Sequence, residues 1–242
     1  MIGSSRRDLK SFPAEVKDVM GYALYQAQLG LKAPSAKPLR GFGGASVLEI
    51  IQDHESDTYR AVYTVKFSDL VYVLHDFQKK SKKGIATPKP DIELIKRRLR
   101  MAEEDYKTLQ DAPNRKRTKK MKATAKERKT RKSKVSSEKV EPSSGNVFAD
   151  LGFQDAEERL LKAKLATKIA QLIEKKGWTQ AQTAERTALD QPKVSRLLRG
   201  QLSGFSADRL FAVLNRLGHS VEVHISAKER APEKSHTRVM IG

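Results

Sequence analysis

The sequence predicts an α+β domain of helices and an antiparallel sheet, joined by a basic linker to an all-α domain that ends in a strand. Three observations predict this arrangement. Apolar stripes at helical spacing flank three segments rich in Val, Ile, Tyr and Leu within residues 1–110, and further helical stripes follow in residues 144–226. The chain between these two regions is dominated by lysine and arginine, and 242 residues are enough for two small domains.

Composition excludes several classes of protein. The chain has 48 basic and 29 acidic residues, a net charge of +19, and no cysteine, which excludes disulfide scaffolds, thiol nucleophiles and cysteine-based metal sites. No stretch approaches the roughly 18 to 20 apolar residues of a membrane span, and the first residues lack the apolar core of a signal peptide. We therefore expect a soluble, cytoplasmic protein with a polyanionic partner and no membrane contact.

The positive charge is concentrated in the middle of the chain. The net charge is +5 over residues 1–110, +10 over residues 111–140 and +4 over residues 141–242. The middle stretch has too few apolar residues to offset the entropy of ordering it, which predicts a disordered linker over residues 111–143. Such a linker is either a plain tether or one that also binds phosphate non-specifically.

The first domain is predicted as a helix, three antiparallel strands and a second helix. The first helix covers residues 8–28 and is broken at Phe12-Pro13, because proline cannot continue a helix. A loop rich in Gly and Pro precedes the strands, which are predicted over residues 46–52, 59–67 and 70–77. Thr87-Pro88 has the pattern of a helix start and precedes a stripe of apolar residues at helical spacing.

Two basic features of this domain can act on a phosphodiester. One is Arg60 on the predicted middle strand, and the other is the lysine cluster directly after the last strand, Lys79, Lys80, Lys82 and Lys83. Cleavage of RNA through the 2′-hydroxyl needs a base, positive charge for the phosphorane and an acid for the leaving oxygen. Arginine and lysine supply charge, His75 is the imidazole near the cluster, and Tyr63 or Phe77 can stack on a base.

The same residues also have structural interpretations, which the sequence leaves open. The lysine cluster is compatible with a solvated turn. His75 is compatible with a structural histidine whose hydrogen bonds are made within the fold at the end of a strand. Arg60 can pair with a nearby acidic residue, Asp53, Glu55 or Asp57.

Motifs along residues 3–109 resemble the phage-derived, Gp49-like branch of the RelE/HigB toxins. They are L-R-G-F-G-G from residue 39, Y-R-A-V-Y-T-V from residue 59, V-L-H-D-F-Q-K-K-S-K-K-G from residue 73, and T-P from residue 87 with I-E-L-I soon after. The resemblance implies a small α/β fold and ribosome-dependent cleavage of mRNA. It implies catalytic roles for Arg60 and the lysine cluster, with Tyr63 as the tyrosine of the same strand.

The start of the chain departs from that family pattern. Family members usually have a β-strand before the Gly-Ser-Ser segment, whereas only Met1-Ile2 precedes Gly3 here. A missing edge or central strand removes backbone pairing and part of the core, so we expect a less stable domain.

The second domain is predicted to be helical. A helix over residues 155–176 ends at Gly177, a typical C-cap residue, and Thr179 has the position of an N-cap for a second helix. A third helix covers residues 190–200, and Ser206 caps a fourth. Two short helices joined by a tight turn, the second ending V-S-x-L-L-x-G, are typical of a helix-turn-helix.

Residues 144–226 resemble Cro/C1-type (XRE-like) DNA-binding domains, and specifically HigA-like antitoxins. The segment N-V-F-A-D-L-G-F at residues 146–153 adds to this likeness. The resemblance implies contact with a toxin, for which the candidate residues are the apolar side chains of that segment, Val147, Phe148, Leu151 and Phe153.

The recognition helix is predicted over residues 191–198, with Val194 and Leu197 toward the core. Glutamine recognises adenine, and arginine or lysine recognises guanine, so the candidate base contacts are Gln191, Lys193 and Arg196. The candidate phosphate contacts are Gln180, Ser195 and Arg199. The alternative is that all six are simply exposed polar residues.

The last part of the chain carries no further predicted site. Residues 220–225 alternate apolar and polar side chains, which predicts a half-buried strand, and residues 227–242 form a polar tail. His219, His224 and His236 lack the spacing of metal ligands, so we expect neither a metal nor a cofactor.

Three functions follow from these observations. The first is a fused toxin–antitoxin protein whose DNA-binding half neutralises the toxin half and, as a homodimer on a palindromic operator, represses a promoter. The second is an active ribonuclease acting on mRNA at the ribosome, with the tethered domain as its regulator. The third is a DNA-binding protein with a degenerate toxin half. The toxin–antitoxin contact can be intramolecular or intermolecular.

Overall fold

The computed structural model describes residues 1–43, 46–67, 70–79, 87–118 and 138–222, with side chains through residue 111 in the fourth range. These ranges contain eight helices and four strands: α1 Ser5–Lys10, α2 Ala14–Gln28, β1 Ala36–Pro38, β2 Val47–His54, β3 Asp57–Phe67, β4 Leu70–Lys79, α3 Lys89–Thr118, α4 Val147–Asp150, α5 Ala156–Lys176, α6 Gln180–Thr187, α7 Gln191–Leu198 and α8 Ala207–Arg216. None of the described helices is both long enough and apolar enough to cross a membrane. The predicted α+β domain followed by a helical domain is confirmed.

The predicted helix over residues 8–28 is two helices, broken where the sequence predicts. α1 ends at Lys10, and Pro13 is the N-cap residue of α2. The three predicted strands are confirmed as β2, β3 and β4, which form an antiparallel sheet in the order β1-β2-β3-β4. β1 was not predicted, because it is three residues long and ends in proline, which is tolerated at a sheet edge.

The two long helices of the N-terminal domain cover opposite faces of the sheet. Side chains alternate along a strand, so Ala61 and Tyr63 of β3 pack on the α2 side, and Val62 packs with Ile95 on the α3 side. Both faces are buried, which is why the strands are rich in apolar residues on consecutive positions.

The first residues of the chain lie beside β4. The Ile2 amide donates to the Val73 carbonyl at 3.1 Å, and Ile2 forms an antiparallel bridge with Val140. Ile2 is fully buried. The backbone pairing expected to be lost at this edge is therefore supplied in part by Ile2 and by the chain around Val140.

The predicted linker is shorter than residues 111–143. α3 continues to Thr118, and residues 138–143 pack against the N-terminal domain, where the Gly3 amide donates to the Lys139 carbonyl at 3.0 Å. Extending an existing helix costs less than starting a new one, which favours the continuation of α3 past its last apolar residue. Residues 119–137, the middle of the predicted linker, lie outside the described residues.

The helical domain follows the sequence prediction closely. Gly177 adopts the left-handed conformation at the end of α5, with φ of 63°. Thr179 forms a capping box with Gln182, and Asp190 and Ser206 cap α7 and α8 through their side chains. Residues 221–222 are not in a strand, and the remainder of the predicted strand and the tail lie outside the described residues.

Candidate functional site

Three of the candidate catalytic residues lie on one face of the sheet. Arg60 of β3 is paired in register with Phe77 of β4, so their side chains share a face. His75 and Lys79 are two residues to either side of Phe77 and lie on that face as well. This is the face covered by α3. Lys80, Lys82 and Lys83 lie outside the described residues.

Arg60 is buried and held by a carboxylate from the neighbouring strand. Its Nη1 lies 2.6 Å from Oε2 of Glu49 and 3.4 Å from the Thr87 hydroxyl. The structural interpretation of Arg60 proposed an ion pair with Asp53, Glu55 or Asp57. That choice of partner was wrong, because the cross-strand register brings Glu49 closer. Glu49 is the charged residue within the apolar run V-L-E-I-I of β2, and this position in the sequence could have indicated a buried ion pair.

His75 has a protein group at each ring nitrogen. Its Nε2 lies 2.9 Å from Oδ1 of Asp91, and its Nδ1 lies 3.5 Å from Nη1 of Arg98. The ring also stacks on Phe77 with centroids 5.0 Å apart. Burial lowers the pKa of His75, while the hydrogen bond to Asp91 opposes that shift. The histidine is therefore neutral near pH 7, as in the structural interpretation of this residue.

Tyr63 does not lie with these residues. It is three positions from Arg60 on the same strand, so its side chain lies on the opposite face, fully buried on the α2 side. Burial raises the pKa of its phenol to about 12. In this conformation Tyr63 is a core residue that cannot stack on a base together with Arg60.

The candidate DNA-binding residues lie on α6 and α7. Val194 and Leu197 are buried, as predicted, and the polar side chains of α7 lie on its other face. Among the candidates, the exposed side chains are Gln180, Gln191, Arg196 and Arg199. Lys193 and Ser195 are half-buried, and Lys193 Nζ lies 2.5 Å from the Asp190 carboxylate that caps the helix. An exposed polar face on the second helix of such a motif is the geometry used in the major groove.

The two domains share one apolar core. Phe148 and Leu151 pack on α2 at Gly21, where a Cβ atom would lie 2.7 Å from Cε1 of Phe148 and 3.0 Å from Cδ1 of Leu151. Gly200, which follows α7, lies very close to Tyr22 of α2. A Cβ atom added at Gly200 would be 2.6 Å from the Cβ of Tyr22. Glycine at these positions allows the close approach of the domains.

Polar contacts surround this shared core. Arg159 of α5 pairs with the buried Asp18 of α2 and with Asp155, and its guanidinium lies 3.8 Å from the centroid of the Phe153 ring. Lys17 Nζ lies over the same ring at 4.7 Å. Burial raises the pKa of Asp18, and the Arg159 hydrogen bond opposes this. Of the four predicted toxin-contacting residues, Val147, Phe148 and Leu151 belong to the shared core and Phe153 packs at its edge.

These observations define a two-domain protein with a helix-turn-helix for DNA binding and an α+β domain with a basic, carboxylate-containing sheet face. The family model "Phage derived protein Gp49-like" matches residues 7–100, and the family model "Helix-turn-helix domain" matches residues 147–226. The chain is therefore a fusion of a Gp49-like phage-derived toxin domain and a helix-turn-helix domain.

A solved structure named "Putative XRE Family Transcriptional Regulator" is similar to part of the chain. It is 39% identical, the match covers 36% of this chain and 99% of that chain, and the TM-score is 0.34. No curated protein matches the chain.

Proposed function

We propose that the chain is a toxin–antitoxin fusion, which binds operator DNA through its helical domain and keeps an mRNA-cleaving domain inactive in cis. The observation that carries this proposal is the core shared by α2, α4 and α5. That core joins the domains through Phe148 and Leu151 while Gln191 and Arg196 of α7 stay exposed. Docking of the toxin domain and binding of DNA are therefore compatible.

The exposed face of α7 supports sequence-specific recognition of DNA. Gln191 is at the start of the helix, where recognition helices contact base edges, and Arg196 follows on an exposed position. Glutamine pairs with adenine and arginine with guanine in the major groove. A homodimer would place two such helices on half-sites about 34 Å apart.

Removing both base contacts should abolish specific binding. We expect Gln191→Ala combined with Arg196→Ala to weaken binding at least about thirtyfold, since each good base contact contributes about 1 to 3 kcal/mol. The measurement is an electrophoretic shift with a duplex that the wild-type chain enriches from a random pool. Lys96→Ala removes the same charge from an exposed position on α3 and should change affinity less than about twofold. An unchanged shift for the double variant would contradict base recognition by α7.

The sheet face around Arg60 supports cleavage of a phosphodiester. The Glu49 carboxylate, 2.6 Å from Arg60, is a base for the 2′-hydroxyl, and the cations of Arg60 and Lys79 stabilise the charge that develops on the phosphorane. His75 is held between Asp91 and Arg98 and so helps to order the face. The substrate class is RNA, and by family resemblance it is mRNA on the ribosome.

The position of the helical domain supports neutralisation of the toxin domain by steric hindrance. It packs on α2, whereas Arg60 and His75 lie on the face covered by α3. The helical domain therefore does not block that face directly, and it acts by preventing the toxin domain from fitting its site on the ribosome.

Weakening the shared core should release the toxin. We expect the full chain with Phe148→Ala and Leu151→Ala to arrest growth and to cleave mRNA, whereas the wild-type chain does neither. Each truncation of a buried side chain removes roughly 2 to 5 kcal/mol of packing. Adding Glu49→Gln, which keeps a hydrogen-bonding partner for Arg60 but removes the base, should abolish the arrest. Growth and primer extension of a reporter mRNA measure both effects.

A second candidate function is a DNA-binding regulator with an inactive toxin domain. The observation that favours it is that Arg60 and His75 are both buried and bonded to carboxylates, Glu49 and Asp91. Limited proteolysis can show whether the domains separate in the Phe148→Ala, Leu151→Ala variant. If they separate and the variant still causes neither growth arrest nor mRNA cleavage, this second function is the correct one.

A further inference from the structure

The chain that leads into the helical domain reaches back to the N-terminal domain at Glu138. Its Oε1 lies 2.9 Å from Nη2 and 3.3 Å from Nε of Arg98, and its Oε2 lies 3.2 Å from Nη2 of Arg97. Both arginines belong to α3. Glu138 lies between the two family matches, at residues 7–100 and 147–226, so neither family accounts for it.

Arg98 connects Glu138 to the candidate ribonuclease face. Its side chain is 2% exposed, and its Nη1 donates to the Leu74 carbonyl at 2.9 Å and lies 3.5 Å from Nδ1 of His75. Its Nη2 also donates to the Ser4 hydroxyl at 3.0 Å. A continuous line of polar contacts therefore runs from Glu138 through Arg98 to His75.

This line of contacts determines which ring nitrogen of His75 carries the proton. Arginine can only donate, so Nδ1 of His75 accepts from Arg98, and Nε2–H donates to Asp91. The charged groups that act on this histidine are Asp91 and Arg98 on α3 and Asp8 on α1, whereas the next residue on β4, Asp76, has its side chain on the opposite face of the sheet. Glu138 acts one step further out, on the charge and position of Arg98.

We propose that Glu138 is a positioning residue for the candidate ribonuclease face, which holds Arg98 against His75 and thereby fixes the neutral Nε2–H tautomer. The catalytic meaning of this role rests on the proposed function of the toxin domain, but the hydrogen-bond chain does not. A residue of the segment that joins the domains thus sets the proton arrangement at the toxin face.

Removing the Glu138 charge leaves Arg98 without its compensating carboxylate in a buried position, where charges interact strongly. The uncompensated guanidinium disfavours the protonated form of His75 more than before. The variant Glu138→Gln is therefore expected to move the titration midpoint of His75 to lower pH. Asp91→Asn removes the favourable partner of Nε2–H and should move the midpoint in the same direction.

The test is an NMR titration of the histidines in the full chain, with His75→Gln used to assign the resonance. Arg97→Gln is the matched control, because Arg97 bonds the same carboxylate, but its side chain is 48% exposed and its described hydrogen bond goes to Glu138 and not to His75. We expect a lower midpoint for Glu138→Gln, beyond the reproducibility of the titration, and an unchanged midpoint for Arg97→Gln. Coincident curves for Glu138→Gln and wild type, or an equal shift in both variants, would overturn the proposal.

A second measurement needs no variant. Nitrogen-15 chemical shifts of His75 in the wild-type chain near neutral pH should give an unprotonated Nδ1 and a protonated Nε2, and the opposite tautomer would also overturn the proposal. Neither measurement requires RNA cleavage. A chain that titrates as expected and cleaves no RNA would contradict the proposed function and leave the role of Glu138 intact.

Discussion

The substitution Gly200→Ala is expected to lower the free energy of unfolding by about 3 kcal/mol. Two costs combine. Gly200 has φ of 77°, where a side chain costs about 1 to 2 kcal/mol, and the added methyl group would overlap Tyr22, which is 1% exposed and cannot swing into solvent. Overpacking of this kind costs about 1 to 3 kcal/mol. Urea unfolding of the full chain measures the sum.

Gly177→Ala is the matched control for this substitution. Gly177 has a similar φ of 63°, at the end of α5, but no described atom lies within 4 Å of the position of its added Cβ. We expect it to cost only the backbone strain, about 1 to 2 kcal/mol. The difference between the two variants isolates the contact between Tyr22 and Gly200. Equal losses in the two variants would show that this contact does not join the domains.

Replacing Arg60 alone should cost more than replacing Arg60 and Glu49 together. Arg60→Leu leaves the Glu49 carboxylate buried without its arginine, and breaking a buried pair in this way costs about 3 to 5 kcal/mol. The double variant, Arg60→Leu with Glu49→Leu, removes both charges and should recover most of that loss. Urea unfolding of the two single variants and the double variant gives the coupling energy directly.

Strictly additive losses in this cycle would contradict a buried, coupled pair. The cycle also governs how activity is interpreted, because an Arg60 variant that loses RNA cleavage has lost folding stability as well. Glu49→Gln keeps a hydrogen-bonding group beside Arg60, and it is therefore the better variant for testing chemistry.

Local periodicity explains why most helices and strands could be predicted. α5 and its C-cap at Gly177 follow from an apolar stripe that ends in glycine, and β2 to β4 follow from runs of β-branched and aromatic residues. β1 could not be found in this way, because three residues are too few for a pattern. The end of α3 was misplaced because the prediction ended the helix where the apolar stripe stops, whereas the helix continues to Thr118.

The candidate site was only partly predictable, because its partners are set by register and by distant contacts. Arg60 and His75 were found from residue type, but Glu49 and Arg98 become neighbours only when the strands and α3 are placed. The exclusion of Tyr63 was available from the sequence, because residues an odd number of positions apart on a strand lie on opposite faces. The close approach at Gly200 depends on the docking of two domains, which local patterns do not contain.

The anchoring of residues 138–143 changes the meaning of the covalent connection. The described residues on either side of positions 119–137 both belong to the N-terminal domain, because α3 ends at Thr118 and Glu138 is bonded to Arg98 of the same helix. Cleavage of the chain between Thr118 and Glu138 would produce two polypeptides that stay joined by the Ile2–Val140 bridge and by the core around Phe148. The cleaved protein would be a heterodimer of a Gp49-like chain and a helix-turn-helix chain, so the contribution of the covalent connection is a fixed one-to-one ratio of the two domains.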